Sequence, residues 1–255
     1  MHTIPPAFDL SGKSAVITGG GSGLGFGIAR CLAACGAKVV LVGRNEENLK
    51  NAAGEIGAQA AYEVHDVTDL KATKAFVERV TSAYGLPDTL VNNAGIHLKK
   101  PAEQVTDEEF QSVMTTHVNS AFALSREFGH GMLARGSGHI LFTASMASLF
   151  GIPLVVAYSA AKTAHLGLVR ALAADFSPRG VRVNAIAPGW IESPMMRKAL
   201  DSDPARRDKI LSRTPLGRFG QADDVGWAAA YLSSPAAGFI TGVCLPVDGG
   251  ASIGF

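Results

Sequence analysis

The chain has 255 residues, of which 47% are apolar and 18% charged, which suits a globular protein and excludes a disordered tail protein. Lysine plus arginine number 23 against 22 for aspartate plus glutamate, so the net charge of +1 gives no basic stripe for nucleic acid or a membrane surface. Three cysteines and seven scattered histidines have no metal-ligand spacing, so we predict no metal site. No leader pattern and no membrane-length apolar run is present, and we expect a soluble, cytoplasmic protein.

Short apolar runs alternate with helical patterns along the chain. The first run ends in a cluster of glycines, and the helical pattern after it stops at Gly36. A capping box from Thr106 to Glu109 predicts the start of a long helix. The predicted strands are 15–17, 39–42, 61–65, 90–92, 139–143, 181–186 and 243–247. The predicted helices are 25–35, 46–56, 69–84, 106–131, 157–176 and 223–232.

This alternation predicts the fold. Continuous apolar strands between helices indicate a parallel sheet covered on both faces. Right-handed crossovers then give an α/β fold, a single-domain doubly wound Rossmann fold of about seven strands, with ligands at the carboxyl ends of the strands. We expect residues 1–255 to form one dinucleotide-binding and catalytic domain. Residues 192–220, with three prolines and many charges, are expected to form a mobile flap over the site.

The glycine cluster lies between a predicted strand and a predicted helix, the context in which such a motif binds a dinucleotide. Gly19 allows a tight turn, Gly23 lets the backbone approach a pyrophosphate, and Gly25 lets helix and strand pack closely. The helix N-terminus adds free N–H groups and a partial positive charge. A glycine-rich turn without a ligand is the alternative, which the surrounding strand and helix disfavour.

The spacing of these glycines resembles that of the short-chain dehydrogenase/reductase family. The resemblance extends from about residue 9 to residue 250 and includes Asn92-Asn-Ala-Gly95, Pro188-Gly189 and Asp248-Gly-Gly250. It implies a cofactor held by the glycine loop, the ends of the second and third strands, the Asn-Ala-Gly turn, the catalytic helix and the loop under the nicotinamide. The residues implied are Gly19, Gly21, Ser22, Gly23, Leu24, Arg44, Asp66, Val67, Asn93, Ala94, Gly95, Tyr158, Lys162, Pro188, Gly189, Ile191 and Ser193.

The resemblance also implies a catalytic tetrad, Asn119, Ser145, Tyr158 and Lys162. Taken singly, each residue has a structural explanation, such as a half-buried aromatic or a solvated charge. Tyr158 and Lys162 are four residues apart, so they share one helix face, and a nearby ammonium lowers the pKa of a phenol. Tyr158 is then expected to act as the general acid, Ser145 to stabilise the carbonyl oxygen, and Asn119 to hold a relay water.

The cofactor is expected to be NADP(H), with NAD(H) as the alternative. Gly43 occupies the position where an acidic residue would bind the ribose 2′-hydroxyl of NAD, and Arg44 follows it. A guanidinium can pair a 2′-phosphate with two parallel hydrogen bonds. Ser22 adds no second cation, and Arg44 as a solvated residue is the opposing interpretation.

The substrate is expected to be a small carbonyl or alcohol, with a polyol or sugar-acid ketone favoured and a 3-oxoacyl thioester as the alternative. A non-catalytic NADP(H)-binding regulator is the alternative of another class, which the intact tetrad disfavours. Lys99 and Arg197 are near enough in sequence to meet a carboxylate or phosphate. Candidate pocket residues are His97, Met146, Val155, Trp190, Met195 and Met196.

The two long predicted helices, 106–131 and 157–176, are apolar or alanine-rich on more than one face. A helix that is apolar around most of its circumference needs cover on the side away from the sheet. Family members commonly pair through these helices, so we predict a homotetramer with two-fold axes.

Overall fold

A computed structural model describes residues 4–192, 196 and 203–254. The strands of this part of the chain are β1 Ser14–Thr18, β2 Lys38–Gly43, β3 Ala60–Val64, β4 Thr89–Asn92, β5 Gly138–Thr143, β6 Val181–Pro188 and β7 Cys244–Val247. All neighbouring strands pair in parallel, in the order β3-β2-β1-β4-β5-β6-β7. The doubly wound parallel sheet predicted from the alternating pattern is confirmed.

Helices cover both faces of this sheet. Over the described residues they are α1 Gly23–Ala34, α2 Glu46–Ile56, α3 Thr73–Tyr84, α4 Asp107–Met114, α5 Ser120–Arg135, α6 Val156–Phe176, α7 Pro204–Ser212 and α8 Ala222–Ser233. The predicted capping box is present, since Thr106 Oγ1 accepts the Glu109 N–H at 3.2 Å and Glu109 Oε2 accepts the Thr106 N–H at 2.9 Å. None of the described helices combines the length and apolarity needed to cross a bilayer.

Three predictions differ from the structure by more than a shift of one or two residues at the end of an element. The helix expected from residue 69 begins at Thr73, because Asp69 first closes a turn by accepting the Ala72 N–H. The long helix expected over 106–131 is interrupted by a π-helical turn, Thr115–Asn119, between α4 and α5. The segment 192–220, expected to lack regular structure, contains α7 among its described residues.

The core consists of two apolar layers, one on each face of the sheet. Successive strand residues point to opposite faces, so Ile17 and Leu41 pack under α1, α2 and α8, whereas Val16 and Val40 pack under α3, α5 and α6. Both layers close off the sheet faces and leave the carboxyl ends of the strands open. A binding site can therefore form at that edge.

Candidate active site

A cleft of about 610 Å³ opens at the carboxyl ends of the strands, near the point between β1 and β4 where the strand order reverses. It brings the glycine loop and the predicted catalytic helix to one cavity. The predicted residues that line it are Gly19, Ser22, Gly23, Leu24, Asn93, Ala94, Gly95, His97, Lys99, Ser145, Met146, Val155, Tyr158, Lys162, Pro188, Gly189, Trp190, Ile191 and Met196.

The glycine loop has the shape that a pyrophosphate requires. Gly19 and Gly23 have φ angles of +66° and +54°, in the left-handed region that favours glycine. A Cβ on Gly25 would collide with the Gly19 carbonyl oxygen, whereas a Cβ on Gly23 would meet nothing within 4 Å. Ser22, at the N-cap of α1, makes no side-chain cap hydrogen bond. The first N–H groups of α1 therefore receive no cap from this side chain and face an open cradle that fits an anionic group.

The Asn-Ala-Gly turn is tied to the end of β1 by a hydroxyl that the sequence reasoning did not single out. Thr18 Oγ1 accepts the N–H groups of Asn93 and Ala94 at 2.9 and 3.0 Å and donates to the Val91 carbonyl. Asn93 Nδ2 donates to the Thr18 carbonyl at 3.0 Å. The buried position of Thr18 at a strand end, directly before Gly19, is the signal that could have identified it. These bonds fix the floor of the cleft between β1 and β4.

A smaller cavity of about 150 Å³ adjoins the cleft at the ends of β2 and β3 and contains Arg44, Asp66 and Val67. Arg44 Nη1 lies 3.8 Å from Asp66 Oδ2, with 69% of the arginine side chain exposed. The Thr68 backbone N–H, which Asp66 accepts at 2.9 Å, holds the pKa of Asp66 below its usual value, and Arg44 adds to this effect. The exposed guanidinium is thus free to turn toward a second anion at this end of the cleft.

The remaining predicted cofactor residues fall into three groups. A Cβ on Gly189 would lie 2.6 Å from the Asp248 Cα, so the Pro188-Gly189 loop packs closely against the Asp-Gly-Gly signature. Gly21 borders neither of the two cavities and packs near Leu49. Ser193 and, among the predicted substrate residues, Met195 lie outside the described residues.

Ser145, Tyr158 and Lys162 meet in the middle of the cleft. Ser145 begins a short turn directly after β5, and its Oγ accepts the Ala147 N–H at 3.1 Å. Lys162 is buried, with its Nζ donating to the Thr143 carbonyl at 2.5 Å and lying 5.7 Å from the centre of the Tyr158 ring. The structure therefore brings together a hydroxyl, a phenol and an amine, as proton transfer to a carbonyl oxygen requires.

Burial dominates the pKa values of this group. Desolvation raises the pKa of Tyr158, and a hydrogen bond with Ser145 opposes that effect. Desolvation also lowers the pKa of Lys162 to about 7. Burial therefore moves the pKa of Tyr158 upward, which is opposite to the direction that a neighbouring ammonium alone would give.

Asn119 does not line the cleft, so among the described residues it lies apart from the other three members of the predicted tetrad. Asn119 is exposed and borders neither the main cleft nor the smaller cavity, whereas His117 is buried and lines the cleft. Residues two apart on a helix point to nearly opposite sides. His117 follows Val113 and precedes Ala121 at four-residue spacing, and both are buried. That stripe is the sequence signal that could have identified His117 instead.

The substrate side of the cleft mixes apolar and polar side chains. Met146 and Val155 are buried in its wall. The His97 ring lies 4.9 Å from the Tyr158 ring, between centroids. Lys99 and Glu192 also line the cleft, and Glu192 accepts the Gln221 side-chain N–H at 2.7 Å. A further cavity of about 510 Å³ lies behind Trp190, lined by the segments around Leu216 and Asp248.

The family model described as enoyl-(acyl carrier protein) reductase matches residues 19–252. Among curated relatives, the chain is 41% identical over 249 residues to galactitol 2-dehydrogenase (L-tagatose-forming) of Cereibacter sphaeroides, which covers 96% of this chain and 97% of that protein. It is 39% identical over 257 residues to 2-dehydro-3-deoxy-D-gluconate 5-dehydrogenase of Bacillus subtilis, with 98% of both chains covered.

A solved structure extends this similarity to the fold. Gluconate 5-dehydrogenase from Burkholderia cenocepacia, crystallised in complex with NADP and tartrate, superimposes with a TM-score of 0.93 at 34% identity. The match covers 98% of this chain and 99% of that one. Sequence and fold therefore agree over nearly the whole length of these proteins.

Proposed function

The chain belongs to the short-chain dehydrogenase/reductase family, and from its cleft we propose that it is an NADP(H)-dependent oxidoreductase that interconverts a polyol or sugar-acid ketone and its secondary alcohol. The observation that carries the proposal is the meeting of Ser145, Tyr158 and Lys162 in the same cleft as the glycine cradle. A protein that only binds a dinucleotide needs no half-buried phenol beside a buried amine there.

The proton chemistry follows from these three side chains. In the reductive direction, Tyr158 donates its phenolic proton to the nascent alkoxide as general acid. The Ser145 hydroxyl donates a hydrogen bond to the same oxygen and stabilises its developing charge. The raised pKa of Tyr158 keeps the phenol protonated, which is the form that a proton donor needs. When bound, the nicotinamide would supply or accept the hydride, which is the chemistry of the cofactor itself.

Lys162 links the proton donor to the cofactor. Its amine is held on the Thr143 carbonyl near the Tyr158 ring, where its protonated form favours the phenolate left after proton transfer. The same amine would also grip the nicotinamide ribose hydroxyls. The proposed roles predict that replacement of Lys162 weakens both turnover and cofactor binding, whereas replacement of Tyr158 affects turnover alone.

The cofactor proposal rests on the cradle and on the small cavity beside it. The uncapped start of α1 and the open space at Gly23 suit the pyrophosphate. Arg44, exposed beside a glycine in place of an acidic residue, suits a 2′-phosphate. The NADP found in the gluconate 5-dehydrogenase structure is consistent with this choice.

The substrate proposal rests on polar groups around the phenol. The His97 ring lies tilted against the Tyr158 ring, and Lys99 lines the cleft with no ion-pair partner among the described residues. These groups can hydrogen-bond hydroxyls and pair a carboxylate. The buried Met146 and Val155 favour the second candidate, a 3-oxoacyl thioester, because they offer an acyl chain an apolar wall.

A screen that follows NADPH absorbance distinguishes these candidates. We expect the largest kcat/KM with keto sugar acids or ketoses, and a preference for 3-oxoacyl thioesters would contradict the substrate proposal. No turnover of any carbonyl despite tight NADPH binding would contradict the enzymatic proposal and support a binding-only regulator.

The adjacent lysines provide a sharper test. Lys99→Ala should raise KM for a keto acid about tenfold and leave KM for a neutral ketose unchanged, because only the acid loses a charged partner. Lys100→Ala is the matched control, since Lys100 pairs with Glu109 at 2.8 Å. Equal effects of the two substitutions would contradict a carboxylate contact at Lys99.

We also propose that the protein is a homotetramer in the cytoplasm. Phe122 on α5 and Val156 on α6 are exposed apolar side chains on the two helices predicted to pair. An interface through these helices would cover them. A monomer mass by light scattering at micromolar concentration would contradict this proposal.

The proposed flap is tested by hydrogen exchange. Residues 193–195 and 197–202 of the proposed flap lie outside the described residues. The described residues 203–216 include α7. Leu216, which is 66% exposed, lies near the cavity behind Trp190. Protection of 203–216 should rise when cofactor and substrate are both bound, and equal protection with and without them would contradict closure.

A further inference from the structure

Two buried histidines that the proposed mechanism does not use lie next to its proton donor. His117 and His165 are 2% and 1% exposed, and their ring centres are 6.4 Å apart. The His117 ring meets the Tyr158 ring edge-on, at 5.5 Å and 86°. The Nδ1 nitrogen of His117 is buried without a hydrogen-bond partner among the described residues. A buried imidazole is costly to keep, so its contacts should show what it does.

His117 connects the loop after β4 to the phenol. Its Nε2 lies 3.1 Å from the Ile96 N–H nitrogen and 2.8 Å from the Ile96 carbonyl oxygen, so the backbone of one residue holds the ring in either tautomer. A Cβ on Gly95 would collide with this ring, so the glycine of the Asn-Ala-Gly turn makes the room for it. The ring is therefore clamped between a fixed loop and Tyr158.

His165 holds the helix that carries His117. At the π-helical turn the Ser120 N–H bonds to the Thr115 carbonyl, five residues back. The His117 carbonyl lies inside that turn and accepts a hydrogen bond from His165 Nε2 at 2.8 Å. His165 follows Lys162 by three residues on α6, so this single bond ties the catalytic helix to the turn.

Both imidazoles are neutral at ordinary pH. Burial, followed by the charge of Lys162, lowers the pKa of each to about 3. The other groups that face them are the Ile96 backbone and the rings of His97 and Tyr158 on the His117 side, and the Thr143 carbonyl and the Phe142 ring on the His165 side. Neutral rings can hold Tyr158 without adding a second positive charge next to Lys162.

We propose that His117 and His165 are positioning residues for the Tyr158 phenol. The His165 imidazole holds the carbonyl of the π-helical turn, and the turn holds the His117 ring against Tyr158. The inference rests on the proposed reaction, because it assigns a fixed place to that reaction's proton donor. The His117 ring contacts the Tyr158 ring and His165 holds the turn that carries His117, so their effect passes through the phenol.

Substitution of His165 tests the chain of contacts at its far end. His165→Leu keeps the bulk and removes the N–H donor, so we expect kcat to fall at least about tenfold with KM and the NADPH Kd within about threefold. His165→Gln restores a neutral donor of similar reach and should return kcat to within about threefold of wild type. His139→Leu is the control, because His139 is equally buried but bonds Ser233 and Asn184 and does not line the cleft.

The pH dependence of kcat gives a readout that simple loss of stability would not move. Loss of the His165 donor should leave Tyr158 less firmly held near Lys162. The part of the kcat–pH profile that reports ionisation of the phenol should therefore shift in His165→Leu and return to its wild-type position in His165→Gln. Unchanged kcat and pH profile in His165→Leu, or a glutamine variant as impaired as the leucine variant, would overturn the inference.

If His165→Leu does not fold, His165→Asn replaces it, because the asparagine amide is too short to reach the His117 carbonyl. Equal kcat for the Asn and Gln variants then overturns the inference. A wild-type protein that reduces no carbonyl overturns the proposed function instead.

Discussion

On the glycine-loop side the cleft is lined mostly by small residues, whereas the opposite side is lined by larger side chains. Hydrogen bonds between Thr18 and Asn93 hold the glycine loop in place. A Cβ on Gly25 would collide with the Gly19 carbonyl, so the loop packs closely there. Opposite, exposed His97 and Lys99 extend from a loop between elements. The shared part of the chemistry thus rests on backbone geometry, and the part that chooses a substrate rests on replaceable side chains.

The Tyr158→Phe substitution should give the largest difference between the two sides of the cleft, because it should reduce turnover and leave cofactor binding intact. Loss of the phenolic proton should reduce kcat by about a thousandfold or more, while the NADPH Kd, measured by fluorescence titration, stays within a few-fold. Tyr84→Phe, a surface tyrosine on α3 bonded to Glu63, is the control. Retention of most of the wild-type rate by Tyr158→Phe would remove the proton-donor assignment.

Arg44→Ala tests whether the cofactor side also contains one side chain that discriminates. Loss of a charge-assisted contact to the 2′-phosphate should raise KM for NADPH about tenfold or more and leave KM for NADH unchanged. Steady-state kinetics with both cofactors measures this. A wild type that prefers NADH, or an Arg44→Ala variant that keeps the NADPH preference, would contradict the role of Arg44.

The pH dependence of stability tests the burial of Lys162. Its pKa of about 7 in the folded chain lies below the value of about 10.4 for an exposed lysine. Between these pH values the unfolded chain binds more protons, so Lys162 makes the free energy of unfolding rise with pH by at most about 1.4 kcal/mol per unit. Below about pH 7 both states hold the proton and the slope disappears.

Lys162→Met should abolish this contribution. Denaturant unfolding at pH 7 and pH 9 should show wild type gaining about 2 kcal/mol relative to the variant as the pH rises. Lys74→Met removes an exposed lysine, paired with Glu78 on α3, and should show no such difference. Parallel pH curves for wild type and Lys162→Met would mean that Lys162 is not desolvated.

Two glycine substitutions test the glycine-loop side of the cleft directly. Gly25→Ala places a Cβ against the Gly19 carbonyl and 2.6 Å from Asn93 Nδ2, so it should lower stability by about 1–3 kcal/mol and weaken NADPH binding. Gly54→Ala, in α2 with nothing within 4 Å, should raise stability by about 0.5–1 kcal/mol. A harmless Gly25→Ala would mean that the loop is not closely packed.

Local patterns predicted most of the fold, and they singled out the hydroxyl, phenol and amine that line one cleft in the structure. The apolar runs and capping box placed the elements, because strand burial and helix starts depend on neighbouring residues. The spacing of Tyr158 and Lys162 on a helix placed both on one face. The glycine spacing located the cofactor cradle for the same reason, since the backbone conformation there depends on residues adjacent in the chain.

Tertiary structure decided what spacing along the chain cannot express. The π-helical turn at Thr115–Asn119 set which side of the helix enters the cleft, and so placed His117 there and left Asn119 exposed. Burial, which depends on every element packed around the site, raised the pKa of Tyr158 where the local charge alone predicted a decrease. The sequence by itself determined which residues could carry out the chemistry. Only the packing determined which of them meet, because contacts between distant segments follow from the whole sheet and its helices.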